Sequence, residues 1–144
     1  GNGTAAGFPD DAELFLFDYH GHAAGLHRPT TPHLFRTFRD VPDGKAYLAA
    51  LRRELPTALE AFRPEACLYL AGMDVFSGTP NPHLRLRTSD IEQRESFVFR
   101  ELRSRGIPVA YAHGGGYASV ETVAGLHLIT AREAANTLRP TEPS

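Results

Sequence analysis

An α/β fold with a mainly parallel sheet is what this 144-residue sequence predicts, and three features predict it. Short apolar runs of strand length, ELFLFD, ACLYLA and IPVAYA, recur along the chain. Long segments with helical spacing of apolar residues separate and follow them. The resulting order is strand, helix, strand, helix, strand, helix. That order calls for right-handed crossovers and for helices on both faces of the sheet, a three-layer α/β/α arrangement.

Each element has its own justification. The opening GNGTAAGF, without Met, reads as the middle of a loop and suggests a piece of a longer protein. Glu13 to Asp18 is the first strand. A stretch rich in Pro, Gly and His follows, from about Tyr19 to Gly44, and reads as one long loop; loops of that length usually carry a function. In KAYLAALRRELPTALEAF, apolar residues fall at Leu48, Leu51, Leu55, Leu59 and Phe62, the spacing of one helix face. Pro56 lies inside that helix and is expected to kink it, at up to about 3 kcal/mol for a strictly interior position. Ala66 to Ala71 is the second strand, followed by the loop GMDVFSGTPNPH. Ser89 and Glu92 have the S-x-x-E spacing of a capping box, and Gly106 stands where a helix C-terminal glycine belongs. Ile107 to Ala112 is the third strand. The last helix spans Ala118 to Leu138, and residues 139–144, RPTEPS, read as a frayed tail.

Composition narrows the class of function. The chain is 42% hydrophobic and 22% charged, with a net charge of -2 and no basic run, so nothing calls for nucleic acid or an anionic membrane. No apolar run approaches the ~20 residues of a membrane span, and no signal peptide is visible. The single cysteine, Cys67, lies in an apolar run and reads as a core thiol, with a reactive thiol as the alternative. One cysteine excludes an internal disulfide framework and favours a reducing, cytoplasmic setting.

In open α/β sheets the site lies beyond the carboxyl ends of the strands. The residues there are Asp18, His20 and His22 after the first strand, Asp74 after the second, and His113 to Tyr117 after the third. Asp74, in AGMD, has two readings: a metal ligand, or a cap for a nearby turn. His20 and His22 form an H-x-H pair near Asp18 that could bind zinc, although loop histidines are often merely exposed. His27, His33 and His83 sit in loops, and His127 falls inside the last helix as a packed or surface residue. The run Gly114, Gly115, Gly116 permits close backbone approach or positive φ. It could form a phosphate nest, but it is not G-x-G-x-x-G and no G-K-[ST] follows. Tyr117 then stands free to bring its hydroxyl to a developing oxyanion, or is simply a surface aromatic.

At these residues the chain resembles the C-terminal half of a zinc-dependent histone deacetylase, of the arginase/deacetylase-like fold. GNGTA resembles the end of the family's D-x-H-x-G-N-G-T loop, and YLAGMD its A-G-x-D strand end. RESFVFRELRSRGIPVA is similar to the helix and strand that follow, and GGGY to the glycine-rich turn and tyrosine. The four stretches occur in the family's order and cover nearly the whole chain. FDYHGH and RESFVFR resemble the class IV branch most.

The resemblance implies roles. Asp74 would be a zinc ligand, and Tyr117 would polarise the amide carbonyl and stabilise the tetrahedral intermediate. Gly114, Gly115, Gly116 and His83 would line a narrow acyl-lysine tunnel. Asp18 would lie near a structural potassium ion. The substrate would be an acetylated lysine in a protein or a small acylated amine, with the N-terminal half of the domain as the necessary partner. The resemblance also has gaps. The Asp and His of D-x-H, and the paired histidines that act as general base, would precede Gly1. Where the family reads D-P-L-G-G, this chain reads Thr79-Pro80-Asn81-Pro82-His83. Residues 1–144 are therefore expected to be the C-terminal part of a single domain, incomplete and inactive alone. The competing expectations are a truncated or divergent non-catalytic module that packs on a partner chain, and a flavodoxin-like nucleotide binder using the glycine run.

Overall fold

The computed structural model describes residues 2–21, 30–38, 43–80 and 84–138. Its elements run α1 (Asn2–Gly7), β1 (Leu16–His20), β2 (His33–Thr37), α2 (Gly44–Phe62), β3 (Cys67–Gly72), α3 (Thr88–Ser104), β4 (Val109–Gly114) and α4 (Val120–Leu138). The α/β class and the parallel pairing expected from the sequence are both present. Among the described residues the strands form two parallel pairs, β1 with β2 and β3 with β4, rather than three neighbours in one sheet.

Three local expectations are corrected. The GNGTAAGF segment is not a loop: Asn2–Gly7 is a short helix. The stretch from Tyr19 to Gly44 holds the strand β2, in register with β1 from Leu16↔His33 to His20↔Thr37. And Ser89 does not cap α3, because the helix already begins at Thr88. Asp90 does that work instead, its carboxylate accepting from the Arg87 amide at 2.9 Å. Other helix ends follow their sequence signals. Asp43 accepts from the Ala46 amide at 2.9 Å and starts α2, and Pro56 sits within that helix. Ser119 accepts from the Thr122 amide and starts α4. Gly106, at φ +68°, ends α3 as expected: its amide reaches Arg103 O at 2.9 Å and the Ile107 amide reaches Leu102 O at 3.0 Å.

The core lies where α2, α3 and α4 meet, around Leu51, Met73, Ile91, Leu102 and Ile129. Helices α3 and α4 cover one face of the β3–β4 pair. Phe99 of α3 meets Tyr69 and Tyr111 edge-on, and His127 of α4 packs on His113 with ring centroids 4.3 Å apart. Strand alternation turns Leu68 and Leu70 to the opposite face, where they are 86% and 57% exposed. Cys67 points inward, and burial pushes its thiol up from the ordinary range, as suits a core thiol rather than a nucleophile. No helix among the described residues is long and apolar enough to cross a membrane.

The β1–β2 pair is joined to α2 through one carboxylate. Glu54, buried, accepts from the Tyr19 hydroxyl at 2.5 Å, from Arg36 Nε at 2.6 Å and from Arg53 Nη2 at 2.7 Å. A second Arg36 nitrogen completes a two-pronged contact.

Candidate active site

The site is built by the ends of β3 and β4, which stay in register to their last residues, Gly72 opposite Gly114. The pairing continues one step further, with the Met73 amide donating to Gly114 O at 2.9 Å. Met73 is buried and Asp74, the next residue, is exposed. The hydrophobic anchor thus delivers a carboxylate to the surface at the carboxyl end of the strand.

The glycine run makes room for that carboxylate. Gly115 has φ +69°, a left-handed conformation that favours glycine. A Cβ at Gly115 would lie 2.5 Å from the Asp74 amide nitrogen, 2.9 Å from Asp74 Oδ1 and 3.0 Å from Asp74 Cβ. A Cβ at Gly72 would lie 2.6 Å from Asp74 Oδ1. Asp74 is therefore seated between two bare backbones, one from each strand end. The chain then turns, with the Tyr117 amide donating to Gly115 O at 3.2 Å, and Tyr117 emerges 66% exposed on the same rim. Gly114 and Gly116 face Leu70 and Val123 at ordinary-to-tight contact and have negative or extended φ.

Asp74 and the segment Gly114 to Tyr117, singled out from the sequence, are brought together at one edge. Asp18 and His20 belong to the other strand pair. They lie on β1, where His20 Nδ1 is 3.1 Å from Asp18 Oδ2 and His20 Nε2 is 2.7 Å from Thr37 Oγ1. His33 Nδ1 is 2.8 Å from Thr31 O. His22, His27 and His83 lie outside the described residues, and so does the 139–144 tail. Among the described residues no three His, Cys, Asp or Glu side chains come together as a metal site. His127 is packed, as expected, and its burial and the neighbouring His113 hold it below the ordinary histidine range.

One group next to this rim was missed by the sequence reading. Arg94 of α3 is 4% exposed and sends Nη1 to Gly72 O at 2.8 Å. Its Nε lies 2.9 Å from Glu95 Oε1, and Glu95 is fully buried. The sign that could have found it is the position of Glu95, four residues beyond Ile91 on the apolar stripe that continues through Val98 and Leu102. A charged residue there requires a partner.

The fold described above matches known proteins along nearly the whole chain. The model of the histone deacetylase domain matches residues 1–132. The chain belongs to the histone deacetylase family. It is 30% identical over 127 residues to histone deacetylase 2 of Arabidopsis thaliana, covering 81% of this chain and 31% of that protein. Among solved structures, the histone deacetylase Clr3 superposes with a TM-score of 0.76 at 18% identity, covering 99% of this chain and 26% of Clr3. Acetylpolyamine aminohydrolase from Burkholderia pseudomallei superposes with a TM-score of 0.67 at 14% identity, over 86% of this chain and 45% of that one. The chain spans about a third of the length of the curated relatives it matches.

Proposed function

We propose that this chain carries the C-terminal part of the active site of a zinc-dependent deacetylase that removes acetyl or other acyl groups from lysine-type amines. The observation that carries the reading is the seat of Asp74 against Gly115, with Tyr117 two residues further along the same turn. An exposed carboxylate and an exposed phenol at paired strand ends suit one acceptor for a cation and one donor for an acyl oxygen.

Each residue has a distinct part in this reading. Asp74 is a metal ligand. Tyr117 donates its hydroxyl to the acyl carbonyl and to the oxyanion that replaces it. Gly114, Gly115 and Gly116 keep that turn narrow beside the acyl chain. Asp18, on β1, is assigned to a structural potassium site.

A zinc held by this chain alone does not fit the described residues, since a catalytic zinc takes about three protein ligands and Asp74 is one. The other ligands and the general base would come from outside this chain, from the N-terminal half of the domain. Family membership supports acetylated lysine or a small acylated amine as the substrate class.

The experiment joins this chain to an N-terminal half carrying the D-x-H and paired-histidine motifs. Hydrolysis of an acetyl-lysine peptide and of an acetylated polyamine is then measured for wild type, Asp74→Ala and Tyr117→Phe. Unchanged rates in both variants overturn the reading. A wild-type protein with no hydrolysis of either substrate favours the second reading, a non-catalytic module that packs on a partner through the exposed Leu68 and Leu70 face.

A further inference from the structure

We propose that Arg94 is a positioning residue for the candidate site, acting on Asp74 through the backbone of Gly72. This rests on the proposed role of Asp74. Three observations carry it. Arg94 is 4% exposed, on a helix, yet its Nη1 reaches across to the Gly72 carbonyl at 2.8 Å. Gly72 is the last residue of β3, two residues before Asp74, and a Cβ there would lie 2.6 Å from Asp74 Oδ1. The same guanidinium lies 3.8 Å from Met73 Sδ, so it touches both residues that link the strand to Asp74.

The chemistry of the pair supports positioning over simple cohesion. Taking a guanidinium and a carboxylate out of water is costly, and apolar residues of similar volume usually stabilise a core as well or better. What an apolar residue cannot do is donate to a carbonyl. Arg94 has a planar fork of fixed geometry: Nε and Nη2 are spent on Glu95 Oε1, which locks the plane, and Nη1 is left aimed at Gly72 O. Glu95 thus orients Arg94, and Arg94 fixes the strand end. The Met73 amide, bonded to Gly114 O at 2.9 Å, lies immediately after the fixed carbonyl and reports on it.

The test uses the joined, full-length domain. Arg94→Met alone would strand a buried charge on Glu95, so the main variant is Arg94→Met/Glu95→Gln, with Arg94→Lys as the conservative variant and Glu54→Gln as a control for general destabilisation. Glu54 lies in a separate polar cluster on α2. All are compared at the same interval below their own melting temperatures. In the double variant, hydrogen exchange at the Met73 amide is expected to rise about tenfold, the effect of one lost charged hydrogen bond. Turnover of an acetyl-lysine peptide is expected to fall roughly 10- to 100-fold with KM little changed, as for a displaced catalytic group. Arg94→Lys, which keeps a donor for Gly72 O, restores part of both, and Glu54→Gln moves neither. Unchanged Met73 exchange overturns the proposal, and so does a turnover loss no greater than that of Glu54→Gln. If Asp74→Ala keeps wild-type turnover, the proposed function fails on its own, and the exchange measurement still decides whether Arg94 holds the strand end.

Discussion

Asp74 and Gly115 occupy one another's space: the carboxylate-bearing residue after β3 fills the volume that a side chain at Gly115 would need, with 2.5 Å between that missing Cβ and the Asp74 amide nitrogen. Gly115→Ala therefore adds two costs. The left-handed φ of +69° costs an L-residue about 1–2 kcal/mol, and the contact is with backbone, which cannot swing aside. The expected outcome is a loss of at least that amount in urea unfolding, together with lost turnover in the joined domain. Gly125→Ala is the matched comparison: it lies in α4 with nothing within 4 Å of its added Cβ. There alanine should stabilise by about 0.5–1 kcal/mol, from helix propensity.

Tyr117→Phe isolates the hydroxyl. The ring is 66% exposed, so removing one oxygen should leave stability within about 0.5 kcal/mol of wild type. If the hydroxyl stabilises an oxyanion, turnover falls about 10²–10³-fold. A large stability change with intact turnover would assign Tyr117 to structure instead.

Much of this site was legible because strand ends and glycines are local signals. AGMD closes an apolar run and GGGY closes the next, so their meeting follows from two neighbouring parallel strands. The contact itself, and its dependence on Gly115 alone among the three glycines, needed the backbone. The strand β2 was hidden because HLFRT follows Thr-Thr-Pro inside a Pro- and His-rich stretch, and because its parallel partner lies well before it in sequence. The cap of α3 was misplaced by two residues, at Ser89 instead of Arg87, because Asp90 competes with Ser89 for the capping role, and it is the Asp90 carboxylate that meets the free Arg87 amide. For Arg94 the sequence carried only a hint, the charged Glu95 on an apolar stripe; the contact with Gly72 was illegible, because a backbone carbonyl 22 residues away leaves no mark on the sequence.

The Glu54 cluster predicts acid sensitivity. Burial raises the Glu54 carboxyl, but donation from Arg36, Tyr19 and Arg53 outweighs it, and the net effect is to hold Glu54 below the ordinary carboxylate range. A depressed folded-state value means stability that is present above the unfolded value of about 4.3 and lost as pH falls through the folded one. Glu54→Gln should cost about 1–3 kcal/mol at pH 7, from weakened charged hydrogen bonds. The gap to wild type should close below about pH 4, as the wild-type carboxyl protonates. Urea unfolding at stepped pH measures both. A gap that stays constant down to pH 3 would show that the charge on Glu54 is immaterial.

The face of β3–β4 opposite the helices predicts how the chain behaves alone. Leu68 and Leu70 project from it at 86% and 57% exposed, beside the small Ala110 and Ala112 of β4. Exposed neighbouring apolar residues on a sheet drive association. The isolated chain is expected to associate at micromolar concentration and to bind an apolar dye. Leu68→Thr/Leu70→Thr should suppress both without lowering the melting temperature, since neither side chain is buried and threonine suits a strand. In the joined domain the same pair should be destabilising instead, because the face would then be covered. Sedimentation and thermal melts of the two forms check this sign reversal, and equal effects in both would mean that the N-terminal half does not pack on this face.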